Sequence, residues 1–305
     1  MVCLGAFVVL YCYALVFLRH IPILVLFDSG SLMFTKRLPA VAGLFYPDDC
    51  QVLGDEINRY LGLAPPSELI PKALIAPHAG YIYSGAIAAA GYRLLRSIAA
   101  RIRRVVLLGP AHRVAFRGLA LPGVDSFVTP LGQVDIDADA VERIKNLPQV
   151  IINTQAHEPE HSLEVQVPFL QTTLTEFKLL PLVVGMASTE EVAEVLNCVW
   201  GGEETLIVIS SDLTHYLPYE TAKSEDSKTA LSILQLRPQI NHEQACGATP
   251  INGLLAVARQ HHLTAHLLDL RNSGDTAGSR HQVVGYGAFA FTESHSPQER
   301  RQYAT

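Results

Sequence analysis

The sequence predicts an α/β protein with a mainly parallel central sheet covered by helices on both faces. Three observations predict it. The apolar runs at 72–76, 104–109 and 206–210 are short and nearly continuous, as strands buried on both faces are. Stretches long enough for helices separate them, which is the pattern of βαβ units. Each run also stops abruptly at polar, ionisable residues: His78 after Pro77, His112 after Gly109-Pro110, and Asp212 and His215 after Ser210-Ser211. Open α/β sheets place their ligands at the carboxyl ends of the strands, so this edge is the expected site.

Residues 1–32 differ from the rest. They are apolar or aromatic from Val2 to Leu18, and apolar again after Arg19-His20-Ile21-Pro22 up to Phe27. A bilayer span takes roughly 20 apolar residues. No Lys or Arg precedes the run and no small-x-small cleavage site follows it, so the marks of a signal peptide are missing. The readings are a membrane anchor, a degenerate signal, or upstream sequence translated from a misplaced start. Met33, just ahead of the first globular-looking motif, favours the last. Residues 33–305 read as one domain, without linker, repeat or low-complexity tract.

Within that domain, Asp48 or Asp49 is placed to cap a helix over 50–61, which Gly62 and Pro65-Pro66 end. Strand 72–76 leads into a helix over 84–98, then strand 104–109 and a short strand at 119–121. Thr129-Pro-Leu-Gly132 is turn-like, and Asp137 is a cap for a helix over 138–146. A weak strand at 150–152 precedes a helix expected to open at Glu160. Strand 179–184, helix 189–199 and strand 206–210 follow. The helix over 218–236 carries Lys223, Glu225, Asp226 and Lys228 as a solvated face. A helix over 247–260 and strands at 265–270 and 283–291 complete the domain, and 294–305 is a polar tail.

Composition excludes several classes. At 49% hydrophobic and 17% charged, the chain has ample material for a core and is not a disordered protein. A net charge of −6 gives no basic footprint for nucleic acid. The five cysteines are odd in number and scattered, with no Cys-x-x-Cys, which points to a reducing compartment such as the cytoplasm.

His78 and His112 lead the candidate site, because two imidazoles in the same strand-end setting weigh more than one. Neutral imidazole suits iron, copper, zinc and nickel. Asp212 and His215 are one helical turn apart, a spacing that lets a carboxylate orient an imidazole for acid/base work. A helix cap by Asp212 with His215 merely exposed is the plainer alternative. In His157-Glu158-Pro159-Glu160-His161-Ser162-Leu163-Glu164, His161 and Glu164 would share a helix face and line the pocket, while His157 reads as surface. Cys246 stands at the apparent start of a helix, where a thiol's pKa falls and the thiolate is favoured. Cys198 reads as helix core and Cys50 as structural. His242, His261, His262, His266, His281 and His295 show no partner pattern.

These motifs resemble one family. Pro-Ala-Val-Ala-Gly-Leu-Phe-Tyr-Pro (39–47), Ala-Pro-His-Ala-Gly-Tyr (76–81) and Leu-Gly-Pro-Ala-His (108–112) are similar to stretches of the Memo-like proteins. Their prokaryotic members are called AmmeMemoRadiSam system protein B. Glu-His-Ser-Leu-Glu-Val-Gln (160–166), Ser-Ser-Asp-Leu-Thr-His-Tyr (210–216), Cys-Gly-Ala-Thr-Pro-Ile (246–251) and Ser-Gly-Asp (273–275) follow in the family's order. The resemblance implies a fold like that of class III extradiol dioxygenases, which cleave catechol rings with non-haem Fe(II). It implies one transition metal, iron or copper with zinc as the further option, on His78, His112 and Cys246. His215 would act as acid/base with Asp212 orienting it, and Tyr81, Glu164, His161 and Asp275 would line the pocket. A thiolate where the dioxygenases carry a carboxylate argues against ring cleavage.

The leading expectation is therefore a metal-binding redox protein, and if an enzyme a non-haem iron or copper oxidoreductase. Its partner would be a small molecule or peptide in the strand-end cleft, with AMMECR-type and radical SAM proteins as protein partners. A membrane would matter only through the leader. The alternatives are a non-catalytic adaptor of the Memo type and a metal-dependent hydrolase.

Overall fold

The computed structural model describes residues 35–293. The expectations for the leader and for the polar tail lie outside the described residues. After β1 (Lys36–Arg37), α1 (Cys50–Leu63) is capped by Asp49, whose carboxylate accepts the backbone N–H of Gln51 and Val52 at 2.9 and 3.0 Å. Strand β2 (Ala73–Ala76) runs into α2 (Tyr81–Tyr92), which tightens to a 3-10 helix over Arg93–Ile98. Strands β3 (Arg104–Pro110) and β4 (Leu119–Leu121) come next. The turn read at 129–132 joins a hairpin of β5 (Ser126–Thr129) and β6 (Gly132–Asp135), whose strands the sequence reading missed.

Helix α3 (Ala138–Ile144) is capped by Asp137 as expected. Beyond it lie β7 (Val150–Ile152) and α4 (Thr154–His157), a single helical turn. The helix expected to open at Glu160 does not. A 3-10 turn occupies Glu164–Gln166 and α5 (Val167–Thr173) starts only there, with Pro168 in its first turn, where a missing N–H costs nothing. Strand β8 (Lys178–Val184), α6 (Thr189–Cys198), β9 (Thr205–Ser210) and β10 (His215–Leu217) follow. Helices α7 (Tyr219–Leu234) and α8 (Ala248–Gln260) and strands β11 (Thr264–Asn272) and β12 (Val283–Thr292) close the fold.

The main sheet has the order β10-β12-β2-β9-β3-β8-β4-β7, with β11 on the other side of β12. Its centre, β2-β9-β3-β8, is parallel throughout, while β12 runs antiparallel to β2 and β4 antiparallel to β8. β4 and β7 are also parallel to each other, but the continuous parallel centre holds the three strands whose apolar runs identified the fold, with β8 beside them. Successive residues of these strands supply opposite faces, because side chains alternate along a strand. Val105, Leu107, Leu206 and Val208 pack with α1, α2 and α5, whereas Val106, Leu108, Ile207 and Ile209 pack with α6 and α8. A layer of helices on each face makes this an α/β fold.

Strands that follow one another in the chain are usually neighbours in a sheet; here two are not. The two histidine-bearing strands are not neighbours, because β9 inserts between β2 and β3. The loop carrying Asp212 therefore leaves the sheet between His78 and His112. At the opposite, amino-terminal end of β2, the ammonium of Lys72 is buried and donates to the carbonyls of Trp200, Gly202 and Thr205 at 2.7, 2.7 and 2.9 Å.

A histidine cluster at the carboxyl edge

His78 is delivered by the loop after β2 and is only 2% exposed. Its Nδ1 lies 2.9 Å from Ser210 Oγ at the end of β9. Ser210 donates its own proton to the Ser162 carbonyl and accepts from Gln166 Nε2, so toward His78 it has only a lone pair to offer. His78 must then carry its proton on Nδ1, leaving the Nε2 lone pair free. Burial, reinforced by the neighbouring imidazoles His112, His161 and His215, holds His78 well below the ordinary imidazole range. The ring is neutral, the form that binds a metal.

His112, on the loop after β3, has the same arrangement with a different partner. Its Nδ1 lies 2.9 Å from Glu160 Oε1, and its backbone N–H donates to Glu160 Oε2 at 2.6 Å. A carboxylate accepts only, so His112 too is protonated on Nδ1 and presents Nε2. Burial pushes the Glu160 carboxyl up, but its hydrogen bonds with His112 and its charge attraction outweigh that and hold it at about 2. Glu160 is the functional residue that sequence reasoning missed, seen there only as one carboxylate in a polar run.

His161 joins them. The rings of His78, His112 and His161 stand 5.1, 5.4 and 4.7 Å apart, centroid to centroid. A ligand atom from each of the three lies within 4.8 Å of the other two, close enough to converge on a single ion. Its Nδ1 is buried without a hydrogen-bond partner, since Glu160 at 3.3 Å is poorly angled. Burial brings the His161 imidazole down to about 4. A donor set of three imidazoles with one orphaned nitrogen fits a transition metal, as does the partner on each Nδ1 of the first two rings.

Cys246 also reaches the cluster, its Sγ 3.3 Å from His78 Nε2. This approach depends on Gly247, because a Cβ there would lie 2.6 Å from the Ser211 side chain. The expectation of a lowered thiol pKa is not met. Burial and the Asp212 charge push the Cys246 thiol up to about 12, outweighing the backbone N–H groups at the start of α8.

The remaining predicted residues take roles other than those expected. His215 does not pair with Asp212, because it opens β10 and the helical turn that would bring the two together is not there. Its Nδ1 donates to the Leu213 carbonyl at 2.9 Å instead, again leaving Nε2 free, and burial lowers its pKa. Asp212 positions the His78 loop by accepting the His78 backbone N–H at 2.7 Å, and burial brings its carboxyl up to about 7.

Glu164 faces away from His161. It is buried and accepts from Arg37, Ala40 N, Val41 N and the Tyr46 hydroxyl, so it organises the 37–46 segment instead of lining a pocket. Tyr81 is a core residue whose hydroxyl donates to the Val165 carbonyl, and Asp275 is exposed, bonded to the Tyr219 hydroxyl. His157 is buried against the Ala120 carbonyl, not on the surface, and Cys198 is exposed, not core. Asp226, read as solvated, is buried under the Thr214 backbone N–H.

Among the described residues no helix is long and apolar enough to cross a membrane. The family model described as Memo-like protein matches residues 37–290. A MEMO1 family protein of Aquifex aeolicus is 37% identical over 267 residues, covering 84% of this chain and 98% of the relative. One of Archaeoglobus fulgidus is 35% identical over 272 residues, covering 84% and 99%, and one of Methanosarcina mazei 35% identical over 268, covering 83% and 97%.

Proposed function

The chain belongs to the Memo-like family, and from that premise we propose that it is a metal-binding redox protein with a dioxygenase-like site. His78, His112 and Cys246 hold the metal, and His161 stands within reach as an alternative third ligand. The observation that carries the reading is the pair of fixed imidazoles. Two side chains on separate strands each hold an Nδ1 proton against a different acceptor and leave Nε2 unprotonated, and a ligand atom of each lies within 4.8 Å of the other and of His161. Structural histidines rarely need that; metal-ligating ones nearly always have it.

The donor set suits iron, copper or zinc, the thiolate favouring the softer ions. A bound iron or copper ion would supply one-electron chemistry and Lewis acidity at an open position. His215, its ring fixed by Leu213, is the residue to take or return a proton at Nε2. Asp212 acts one step back, by holding the His78 loop. The substrate is a small molecule at the strand-end edge, and AMMECR-type and radical SAM proteins are the proposed protein partners.

Metal analysis of protein purified without added metal tests the reading. About one iron or copper per chain is expected, lost in His78→Ala and His112→Ala. Wild-type protein that takes up no transition metal, even when offered Fe(II), Cu(I) and Zn(II) at low micromolar concentration, ends it. Cys246→Ser and His161→Gln identify the third ligand, which is whichever of the two abolishes binding.

A further inference from the structure

We propose that the cavity beside His112 and Cys246 takes a small organic acid, its carboxylate held by Arg113 and Arg117. This deepens the metal-site reading and rests on it for the neighbouring ion. The cavity has a volume of about 940 Å³ and lies between the loop after β3, the loop after β8 and the start of α8. That is ample for a small molecule. Both arginines line it, and neither guanidinium has a hydrogen-bond or ion-pair partner among the described residues.

The electrostatics of the cavity run against those of the chain. The protein carries 29 acidic and 23 basic residues, yet among the described residues Glu191 is the only carboxylate lining this cavity. That carboxylate is already engaged, accepting the Ser188 backbone N–H at 2.7 Å in the capping box of α6. Among the described residues, two arginines thus line the cavity against one acid, which is turned to its own helix cap. His112 of the histidine cluster lines the same cavity. An anion seated between the arginines would lie next to the histidine cluster.

The wall that carries them is fixed before any ligand arrives. Met186 N–H donates to the Phe116 carbonyl at 2.8 Å and Gly118 N–H to the Met186 carbonyl at 2.9 Å, on either side of Arg117. Ala111 N–H donates to the Val184 carbonyl at 2.9 Å, just before Arg113. This pairing needs Gly185, since a Cβ there would meet the Phe116 carbonyl oxygen at 2.3 Å. Phe116, Val114 and Met186 add apolar surface to the same cavity. A planar guanidinium matches a carboxylate bidentately, which favours an acid head on an apolar body.

The test compares benzoate with benzamide, which differ in charge and little in size, by ligand-observed NMR titration of metal-loaded and metal-free protein. Benzoate is expected to bind about tenfold or more tightly than benzamide, the margin of a charge-assisted hydrogen bond. Arg113→Gln and Arg117→Gln should each lose that preference, with metal content and circular dichroism unchanged. Equal binding of the two probes, no binding of benzoate, or variants that hold benzoate as wild type does would each overturn the assignment. Protein that binds no metal but keeps the arginine-dependent preference for benzoate would remove the metal reading and leave the acid site standing.

Discussion

Glu160 holds His112 at two points, taking the backbone N–H on one oxygen and the ring Nδ1–H on the other, at 2.6 and 2.9 Å. One carboxylate thereby sets both where the loop lies and which way the imidazole turns. Glu160→Gln keeps the size but puts an amide NH2 where one acceptor stood. Metal affinity is expected to fall roughly 10–100-fold, the usual cost of removing a partner behind a ligand. Competition titration against a chromogenic chelator measures it, and thermal unfolding checks that the fold persists.

Gly247→Ala tests whether the thiol belongs to the centre. The added methyl must push the start of α8 away from Ser211, carrying Cys246 off His78. Cobalt(II)-loaded wild type should show a thiolate-to-cobalt charge-transfer band, and Gly247→Ala should weaken or lose it. A band of full strength in the variant would count against Cys246 as ligand.

Lys72→Met probes the far edge of the sheet. The substitution strips a charged donor from the carbonyls of Trp200, Gly202 and Thr205, and should cost about 2–4 kcal/mol. Denaturant unfolding followed by the fluorescence of Trp200, the chain's single tryptophan, reads it. Metal content should not change, since Lys72 and His78 lie at opposite ends of β2.

Asp226 makes stability depend on pH in an uncommon direction. Burial raises its carboxyl from 3.8 to about 6, so between those values the folded chain holds a proton that the unfolded chain has released. Stability from this group is full below about pH 4 and falls as pH rises to about 6, by roughly 2–3 kcal/mol. Asp226→Asn keeps an oxygen to accept the Thr214 N–H and should flatten that slope. At pH 8 the variant should be at least as stable as wild type, by chemical denaturation at both pH values.

The parallel centre of the sheet was legible because residues 104–109 and 206–210 carry no polar side chain until their ends, and only a strand buried on both faces tolerates that. His78 and His112 were legible for the same reason, as the first polar side chains beyond a strand. What stayed hidden depends on contacts far apart in sequence. Glu160 and Glu164 look alike in the chain, yet one turns to His112 and the other to Arg37, more than a hundred residues earlier. His161 was assigned to a helix face, and the helix begins only after it. Asp226 occupies a polar stretch of α7, and nothing local shows that the 211–215 loop closes over it.

The insertion of β9 between β2 and β3 also governs how the protein comes into being. Ala73 must find Ile207, and Val105 must find Leu206, each more than a hundred residues further along the chain. Such distant pairings form slowly, after the entropy of closing long loops has been overcome. During synthesis, a nascent chain that has emerged only as far as residue 200 has His78 and His112 but no β9 to join their strands. The histidine cluster is therefore assembled only after β9 has been made and has taken its place between β2 and β3.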